Sequence, residues 1–567
     1  MDQVMSHPWA RRYDEGVPLE VDFPPTTLTR LLVKAGEGAR DLPALNFFGK
    51  VTTYGDLLKQ VQCLARALRD LGLAPGDRLA VLLPNCPQLV VAYHAALYLG
   101  GVAVLLNPLQ SPREIAHQLN DSGARLLVVL DHLLPKVEES RAHLSRIVVT
   151  SLADALPWPL SWLYPLKALR QGLPRGFAPG PGRYRWRDLL AFPPLTPPVA
   201  GQPEELAVLQ YTGGTTGTPK AAMLSHRNLL ANVAQINAWL RRIRYGGERV
   251  VGLIPFFHSF GLTACLNWPL SVAALTIVLP KFEPKTFMTM LKKERPTVLP
   301  GVPTLFIALL NHPDLPKIDF SQMWACISGS APLPQEVRDR FEHLTGCRIM
   351  EGYGLTEAAP VTHLNPYQGE RPPGSIGLPF PSTVAKIVDA DTGERELPWG
   401  EVGELVIQGP QVMQGYWQQP EESAQVLRNG WLFTGDLAWM DENGYFYLVD
   451  RKKDLIINAG FNVYPREVEE VLYQHPGVQE AVVYGMPDPY RGELVKAVVV
   501  PRPGAVLTAD DLVNFCRPRL ASYKVPTLVE FRDALPKSMV GKILRRLLRE
   551  EDLRRLPAGG SSPLSPP

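Results

Sequence analysis

The 567-residue chain lacks an excess of charge of either sign. It contains 58 Lys and Arg residues against 56 Asp and Glu residues, which gives a formal net charge of +2. Proteins dedicated to nucleic-acid binding carry a basic surplus that neutralises phosphates. We therefore expect no nucleic-acid partner.

Cysteine and long apolar segments are also scarce. The six cysteines show no metal-site spacing, and most lie in apolar runs typical of buried, reduced thiols. Residues 1–16 lack the apolar core of a signal peptide. The most apolar stretch, 89–106, is interrupted by His94 and Gly100, which favours a buried helix leading into a strand over a membrane span. These features predict a cytoplasmic protein.

Short apolar runs are abundant, and amphipathic helical patterns such as 54–73 lie between them. This alternation predicts an α/β fold with parallel sheets covered on both faces. Ligands of such folds bind beyond the carboxyl ends of the strands. The runs that we predict to be strands are 78–84, 124–131, 250–255, 275–280 and 324–330.

The composition and the pattern of apolar residues change towards the carboxyl terminus. Residues 380–450 are Gly-rich with short β-like runs, which predicts a small β subdomain at the end of a large N-terminal domain, 1–450. A basic run follows Asp450, and a fresh α+β pattern then predicts a separate, smaller C-terminal domain ending near 556. We expect the tail, 557–567, to be disordered.

Between residues 155 and 200 the regular pattern is lost. The segment is rich in Pro, aromatic residues and Arg, and Asp188 is its only acidic residue. Two interpretations stay open. The segment is either an irregular surface excursion or a patch that rests on an anionic membrane surface through Arg and Trp.

The strongest chemical signal is YTGGTTGTPK at 211–220. Gly213, Gly214 and Gly217 allow the backbone to turn tightly and to direct N–H groups at an anion, while Lys220 supplies a cation. A Walker A loop differs, because its lysine directly follows the last glycine. The pattern predicts a phosphate-binding loop and argues against a Walker-type kinase or GTPase.

Six segments, in this order, resemble the core motifs of the adenylate-forming superfamily of acyl-CoA synthetases, adenylation domains and luciferases. The resemblance covers most of the chain and is closest to bacterial long-chain fatty acyl-CoA synthetases. The sequence departs from relatives at Leu262, where some have Trp, and at Ala221, where many have Gly. The segments are YTGGTTG (211–217), EGYGLTE (351–357), WLFTGD (431–436), DRKKD (450–454), NAGFNVYP (458–465) and PKSMVGK (536–542).

The resemblance implies a site for ATP and Mg²⁺. Glu357 and Thr216 would hold the metal ion, Tyr353 would stack on adenine, and Asp436 beside Arg451 would bind the ribose hydroxyls. The implied ATP-binding residues are Thr212, Gly213, Gly214, Thr215, Thr216, Gly217, Lys220, Ser328, Gly329, Ser330, Glu351, Gly352, Tyr353, Gly354, Asp436 and Arg451.

The resemblance also implies the catalytic residues and a moving domain. Lys542 would bridge the substrate carboxylate and ATP oxygens in the transition state, and it must leave before CoA enters. The C-terminal domain, 455–556, would therefore rotate about a hinge at 451–454. The remaining implied residues are Thr356, Glu357 and His258 in catalysis, Lys453 in the hinge, Gly460 and Phe461 at CoA, and Leu262, Val302 and Pro303 at the acyl chain.

The activity implied is a Mg²⁺- and ATP-dependent ligase that converts a long-chain fatty acid to acyl-AMP and then to acyl-CoA. A medium-chain or aryl acid, or a carrier-protein phosphopantetheine as acceptor, stays open. A non-catalytic acyl or nucleotide binder is the remote alternative, and the retained charged motif residues argue against it. Because dimers occur among relatives, a homodimer stays open too. Peripheral contact of segment 155–200 with the inner face of the membrane also stays open.

Overall fold

The computed structural model describes residues 7–23, 25–170, 172, 177, 180–212, 219–538 and 542–555. The chain divides into two compact units. Unit one comprises Met1–Val384 and Gln408–Leu432, and unit two comprises Ala385–Ile407 and Phe433–Pro567. The hinge that we predict after Asp450 concerns motion and stays a prediction.

The α-helices are α1 (Leu28–Gly38), α2 (Tyr54–Asp70), α3 (Pro87–Tyr98), α4 (Pro112–Ser122), α5 (Leu134–Ser140), α6 (Leu160–Arg170), α7 (Trp186–Leu189), α8 (His226–Trp239), α9 (Trp268–Ser271), α10 (Pro284–Glu294), α11 (Pro303–Leu310), α12 (Gln335–Thr345), α13 (Pro420–Val426), α14 (Pro465–Tyr473), α15 (Ala509–Cys516) and α16 (Arg545–Arg555). Short 3-10 helices lie at Pro8–Arg12, Asp131–Leu133, Leu152–Asp154, Leu315–Lys317, Thr356–Ala358 and Ser522–Lys524, and a π-helix lies at Gly261–Asn267.

The strands are β1 (Pro43–Phe47), β2 (Lys50–Thr53), β3 (Arg78–Leu82), β4 (Val102–Leu105), β5 (Leu126–Leu130), β6 (Arg146–Thr150), β7 (Arg183–Arg185), β8 (Leu206–Thr212), β9 (Lys220–Ser225), β10 (Arg249–Gly252), β11 (Leu275–Val278), β12 (Val298–Gly301), β13 (Ala325–Ser328), β14 (Ile349–Gly354), β15 (Val361–Leu364), β16 (Ser375–Pro379), β17 (Val384–Val388), β18 (Gly403–Gln408), β19 (Leu427–Arg428), β20 (Trp431–Met440), β21 (Phe446–Arg451), β22 (Ile456–Asn458), β23 (Phe461–Val463), β24 (Val478–Asp488), β25 (Gly492–Pro501) and β26 (Leu528–Phe531).

Unit one is built on two runs of mainly parallel strands. One sheet has the order β7-β6-β5-β3-β4-β8-β9, in which only the β8–β9 pair is antiparallel. The second run has the order β16-β15-β14-β13-β12-β10-β11-β1-β2, and it is parallel from β14 to β1. The five predicted apolar runs are strands β3, β5, β10, β11 and β13. The α/β fold is therefore confirmed.

Helix α2 illustrates how sequence sets local structure here. The Thr53 side chain accepts a hydrogen bond from the Asp56 N–H at 3.1 Å and caps the first turn. Leu57, Val61 and Leu64 recur at helical spacing and are buried, as predicted.

The segment 155–200 contains more regular structure than an irregular excursion. Its described part forms α6, α7 and the edge strand β7, which is parallel to β6. Helix α6 could not be predicted from the sequence for two reasons. Pro165 lies inside it, and its large apolar side chains are exposed, so the helix has no buried face with helical periodicity.

Unit two combines two sheet segments. In the first, strands β17, β18, β20 and β21 are neighbours in that order. The second is a sheet with the order β23-β22-β25-β24, in which β26 also pairs with β25. Alternate residues of β24 face opposite sides. Ala481 and Val483 pack in the core that includes α14 and α15, whereas Val482 and Tyr484 pack with Leu548 of α16.

Among the described helices, none combines the length and the apolar character needed to cross a membrane.

Candidate active site

In unit one, the predicted phosphate loop connects the antiparallel strands β8 and β9. Thr212 ends β8 and is paired in register with Lys220, which begins β9. Gly213, Gly214, Thr215, Thr216 and Gly217 lie outside the described residues, so their predicted contacts with phosphate stay predictions. The residues on either side of the loop, Thr212 and Lys220, therefore lie next to each other.

The Lys220 ammonium has two partners in unit one. It forms an ion pair with Glu422 of α13 and lies 5.4 Å from the centroid of the Tyr416 ring. The Lys220 side chain is largely buried, whereas that of Glu422 is more exposed. The lysine is thus held by a carboxylate that solvent can reach.

Tyr416 also connects to the predicted metal ligand. Its hydroxyl donates a hydrogen bond to Glu357 Oε1 at 2.8 Å, and the Glu357 carbonyl accepts from the Met413 N–H at the same distance. Burial and the adjacent Glu357 carboxylate raise the pKa of Tyr416 well above its usual value. Tyr416 therefore remains a hydrogen-bond donor that fixes one oxygen of Glu357.

The predicted adenine wall lies at the carboxyl ends of β13 and β14. Ser328 ends β13 and is buried, Gly329 donates to the Gly301 carbonyl at 3.3 Å, and Ser330 has a φ of 70°. Glu351 in β14 accepts from the Leu333 N–H at 3.1 Å. These residues lie at the strand ends where the parallel topology predicts a ligand.

Close packing around β14 explains why glycine occupies two of its positions, 352 and 354. A Cβ at Gly354 would lie 2.2 Å from the Pro360 carbonyl oxygen, and one at Gly352 would lie 2.7 Å from a methyl of Leu364. Tyr353 between them is buried and meets His363 edge to face, with ring centroids 5.9 Å apart. A larger residue at Gly354 would collide with backbone, whereas one at Gly352 would first displace the Leu364 side chain, so packing constrains Gly354 more strictly.

The segment carrying His258 is joined to the predicted catalytic segment. The Ser259 and Thr356 hydroxyls are 3.3 Å apart, and the Phe260 N–H donates to His258 Nδ1 at 3.3 Å. The structure therefore joins the segment that carries His258 to the one that carries Thr356 and Glu357, and their roles in catalysis stay predictions.

The predicted acyl residues follow strands β10 and β12. Leu262 is fully buried in the π-helix Gly261–Asn267, a rare geometry that is frequent at functional sites. Val302 precedes α11 and is largely buried, and Pro303 is the first residue of that helix. Buried apolar side chains at strand ends suit an apolar ligand, and nothing in the sequence signalled the π-helix.

In unit two, Asp436 and Arg451 face each other across an antiparallel pair. They are register partners in β20 and β21, and Arg451 Nε lies 3.4 Å from Asp436 Oδ1. Asp436 is largely buried while Arg451 is partly exposed. This arrangement fixes the carboxylate that is predicted to bind ribose.

Lys542 lies close to this pair. Its N–H donates to Ser538 Oγ at 3.2 Å, and its carbonyl accepts from the Ser538 N–H at 2.8 Å. Lys542 is exposed at the surface, yet desolvation by the surrounding protein and the nearby Arg451 guanidinium outweigh the Asp436 and Asp454 carboxylates and lower its pKa to about 8. Among the residues that the structure describes, no carboxylate lies within ion-pair distance of its ammonium.

The predicted hinge and CoA residues lie on turns of unit two. Lys453 is exposed in the turn that follows β21, and Gly460, with a φ of 83°, closes the β22–β23 hairpin. Phe461 is exposed and stacks on Tyr523 with centroids 4.6 Å apart. Space is open around Gly460, where no atom would lie within 4 Å of an added Cβ.

Comparison with known proteins identifies the family. A family model described as AMP-binding enzyme matches residues 32–417, and a model of the AMP-binding enzyme C-terminal domain matches residues 467–542. The chain belongs to the AMP-binding enzyme family. The predicted resemblance is thereby confirmed, as is an α/β fold with a separate C-terminal domain.

This AMP-binding enzyme aligns with its relatives over nearly the whole length of both chains. The chain is 47% identical to a long-chain-fatty-acid–CoA ligase of Bacillus subtilis (strain 168) over 555 residues, 96% of this chain and 98% of the relative. It is 43% identical over 563 residues to the ligase of the same name from Escherichia coli O6:H1, with the same coverage. ATP-bound MatB from Rhodopseudomonas palustris is 31% identical with a TM-score of 0.81, covering 93% of this chain and 99% of MatB.

The sequence did not point to three residues of the AMP-binding enzyme that contact predicted site segments. Tyr416 and Glu422 hold Glu357 and Lys220, as described above. In unit two, Arg545 bonds Asp454 at 2.9 Å and Glu469 at 2.8 Å, with Asp450 at 3.4 Å. Its place three residues after Lys542 was the one available signal, because its acidic partners are distant in sequence.

Proposed function

We propose that this AMP-binding enzyme is a long-chain fatty acid–CoA ligase with two half-reactions. In the first, a carboxylate oxygen of the fatty acid attacks the α-phosphorus of ATP, the bond to the bridging oxygen breaks, and pyrophosphate leaves. In the second, the CoA sulfur attacks the carbonyl carbon of acyl-AMP, AMP leaves, and the thiol proton passes to solvent.

The grouping of Lys542 with Asp436 and Arg451 carries this proposal. The first half-reaction brings two anions together, so its barrier falls mainly through alignment and neutralisation of charge. An ammonium beside the carboxylate that would hold ribose would act on the α-phosphate region and the incoming carboxylate. Lys220 would supply a second cation for the pyrophosphate that leaves.

One described residue, Glu357, suits a Mg²⁺ ion that arrives with ATP, and Thr216 lies outside the described residues. Mg²⁺ is usually bound by one or two carboxylates together with substrate phosphates. Glu357, oriented by Tyr416, would be one ligand, and the Thr216 hydroxyl would be another. When bound, the ion neutralises phosphate charge.

The second half-reaction requires rearrangement, because Lys542 would block the entry of CoA. We assign the pivot to Lys453 within 451–454, so that residues 455–556 rotate and Gly460 with Phe461 line the pantetheine channel. The open space around Gly460 supports this assignment, since a narrow thiol arm needs close access to the backbone.

Long-chain acids are the proposed substrates because buried apolar residues, Leu262, Val302 and Pro303, follow the strand ends. The names of the B. subtilis and E. coli relatives agree with this substrate class. A homodimer remains a prediction from the resemblance, and sedimentation equilibrium would measure it.

Pyrophosphate release tests the proposal. Purified protein with Mg²⁺ and ATP is given a ladder of fatty and aryl acids, with and without CoA. Release that requires a long-chain acid, with AMP and acyl-CoA formed together, is the expected result. Preference for a medium-chain or aryl acid would change the substrate class, and acyl-AMP that CoA leaves unconverted would indicate a carrier-protein acceptor. No release from folded protein that binds ATP would contradict a ligase.

A further inference from the structure

Helix α6 presents an apolar surface that the rest of the described chain leaves uncovered. Trp162 is 71% exposed, and Trp158, just before the helix, is 84% exposed. The exposed leucines of the helix add to them, and they are Leu160, Leu163, Leu166 and Leu169. We call these six side chains the α6 surface. Contiguous exposed apolar residues of this kind mark interaction sites, whereas single exposed ones do not.

The opposite side of α6 is attached to unit one. The helix packs on the 3-10 helix Leu152–Asp154, and both burial and the Asp131 carboxylate raise the pKa of Tyr164. The helix therefore has one packed side and one unpartnered side. Its exposed leucines are a consequence of this orientation and not of local unfolding.

Basic residues accompany the α6 surface. Arg170 ends the helix and is exposed, and Arg185 and Arg187 are exposed in the adjoining β7–α7 segment. Arg187 is paired with Asp154 of the 3-10 helix on which α6 packs, which places this arginine close to α6. Asp188 is the only acidic residue in 155–200. Arg170 and Arg187 thus lie beside the apolar surface, and the Asp154 carboxylate offsets the charge of Arg187.

We infer that the α6 surface docks this enzyme on an anionic lipid bilayer, with α6 lying in the plane of the interface. Tryptophan rings favour the interfacial zone, leucines enter the acyl boundary, and arginines face anionic headgroups. At about 1.5 Å per residue, eleven residues extend only about 16 Å, so the helix is suited to lie on a membrane and too short to span one. This inference rests on the proposed function to the extent that a long-chain acid partitions into the same bilayer.

Vesicle flotation tests the inference without ATP, CoA or fatty acid, so its outcome is independent of ligase activity. The full chain is mixed with phosphatidylcholine vesicles with or without about 30% phosphatidylglycerol. We expect binding to the anionic vesicles, weaker binding to neutral ones, and at least about a fivefold loss of binding in Trp162→Glu and in Leu166→Glu.

Trp399→Glu is the matched control, because Trp399 is also an exposed tryptophan (59%) but lies in unit two. It should bind vesicles like the unchanged protein. Circular dichroism and pyrophosphate release with acid presented on albumin verify that each variant is folded and active. Absence of vesicle binding by the unchanged protein, or equal loss in all three variants, would overturn the inference. So would a dimer that Trp162→Glu dissociates while vesicle binding stays unchanged.

Discussion

The two lysines predicted to act on ATP, Lys220 and Lys542, occupy contrasting environments in their respective units. Lys220 in unit one is matched by Glu422 and lies over the Tyr416 ring, so its charge is balanced before any phosphate arrives. Lys542 in unit two forms no ion pair with a described residue, and desolvation together with Arg451 outweighs the nearby Asp436 and Asp454 carboxylates and lowers its pKa to about 8. One cation is held in an ion pair, and the other has nearby carboxylates but no ion pair among the described residues.

This difference fits two tasks. A balanced lysine can exchange its carboxylate for a phosphate at little electrostatic cost, which suits ground-state binding. An unneutralised cation gains most when negative charge develops beside it, which suits the transition state. The comparison predicts that Lys542 dominates the chemical step and that its neighbours determine the position and charge of its ammonium.

The largest effect is expected from Lys542→Ala. Acyl-AMP formation should fall by about 10³-fold or more, because the charge that stabilises the transition state is removed. Conversion of supplied acyl-AMP to acyl-CoA should continue. Pyrophosphate exchange and thioester formation, measured separately, check the two half-reactions. Loss of both in a folded variant would show that Lys542 has no special place in the first step.

Arg545→Met should destabilise unit two by about 3 kcal/mol, because it leaves partly buried acidic partners without their cation. Arg549→Met is the matched control on the same helix. Arg549 pairs with Glu493 at 2.9 Å but is more exposed, so a loss of at most about 1 kcal/mol is expected. Urea unfolding measures both. Equal losses would mean that the Arg545 cluster contributes no more than a surface ion pair.

Tyr416→Phe should slow acyl-AMP formation by about tenfold and raise the Mg²⁺ concentration needed for half-maximal rate, because Glu357 loses its orienting donor. Tyr484→Phe is matched to it, since Tyr484 donates to Asp552 at 2.6 Å away from the predicted site residues. That control should alter stability only. A Mg²⁺ dependence unchanged by Tyr416→Phe would remove Tyr416 from the metal site.

The smallest effect concerns pH. The free enzyme should lose acyl-AMP formation as pH rises through about 8, since Lys542 is cationic below its lowered pKa. At pH 8.5 the loss in kcat/KM should be about fourfold. In Lys542→Arg the fall in kcat/KM at alkaline pH, the alkaline limb of the profile, should move beyond pH 10. The profile of pyrophosphate exchange measures it. An identical limb in both proteins would assign the titration to another group.

Much of the fold could be predicted because its signals are local. Apolar runs of six to eight residues identified β3, β5, β10, β11 and β13, and the periodicity of 54–73 identified α2. Local signals failed at α6, where an internal proline and exposed leucines hide the helix. The family motifs could predict roles for Glu357, Asp436 and Lys542 for the same reason, since each lies in a short, contiguous segment.

The sequence by itself determined the family, the order of the site segments and most strand positions, because each depends on residues adjacent along the chain. Only the tertiary structure decided the partners of those residues. Tyr416 reaches Glu357 across 59 positions and Arg545 reaches Asp450 across 95, distances over which no sequence periodicity operates. It likewise decided that the leucines of α6 face outward, since that depends on which side of the helix meets the 3-10 helix beneath it.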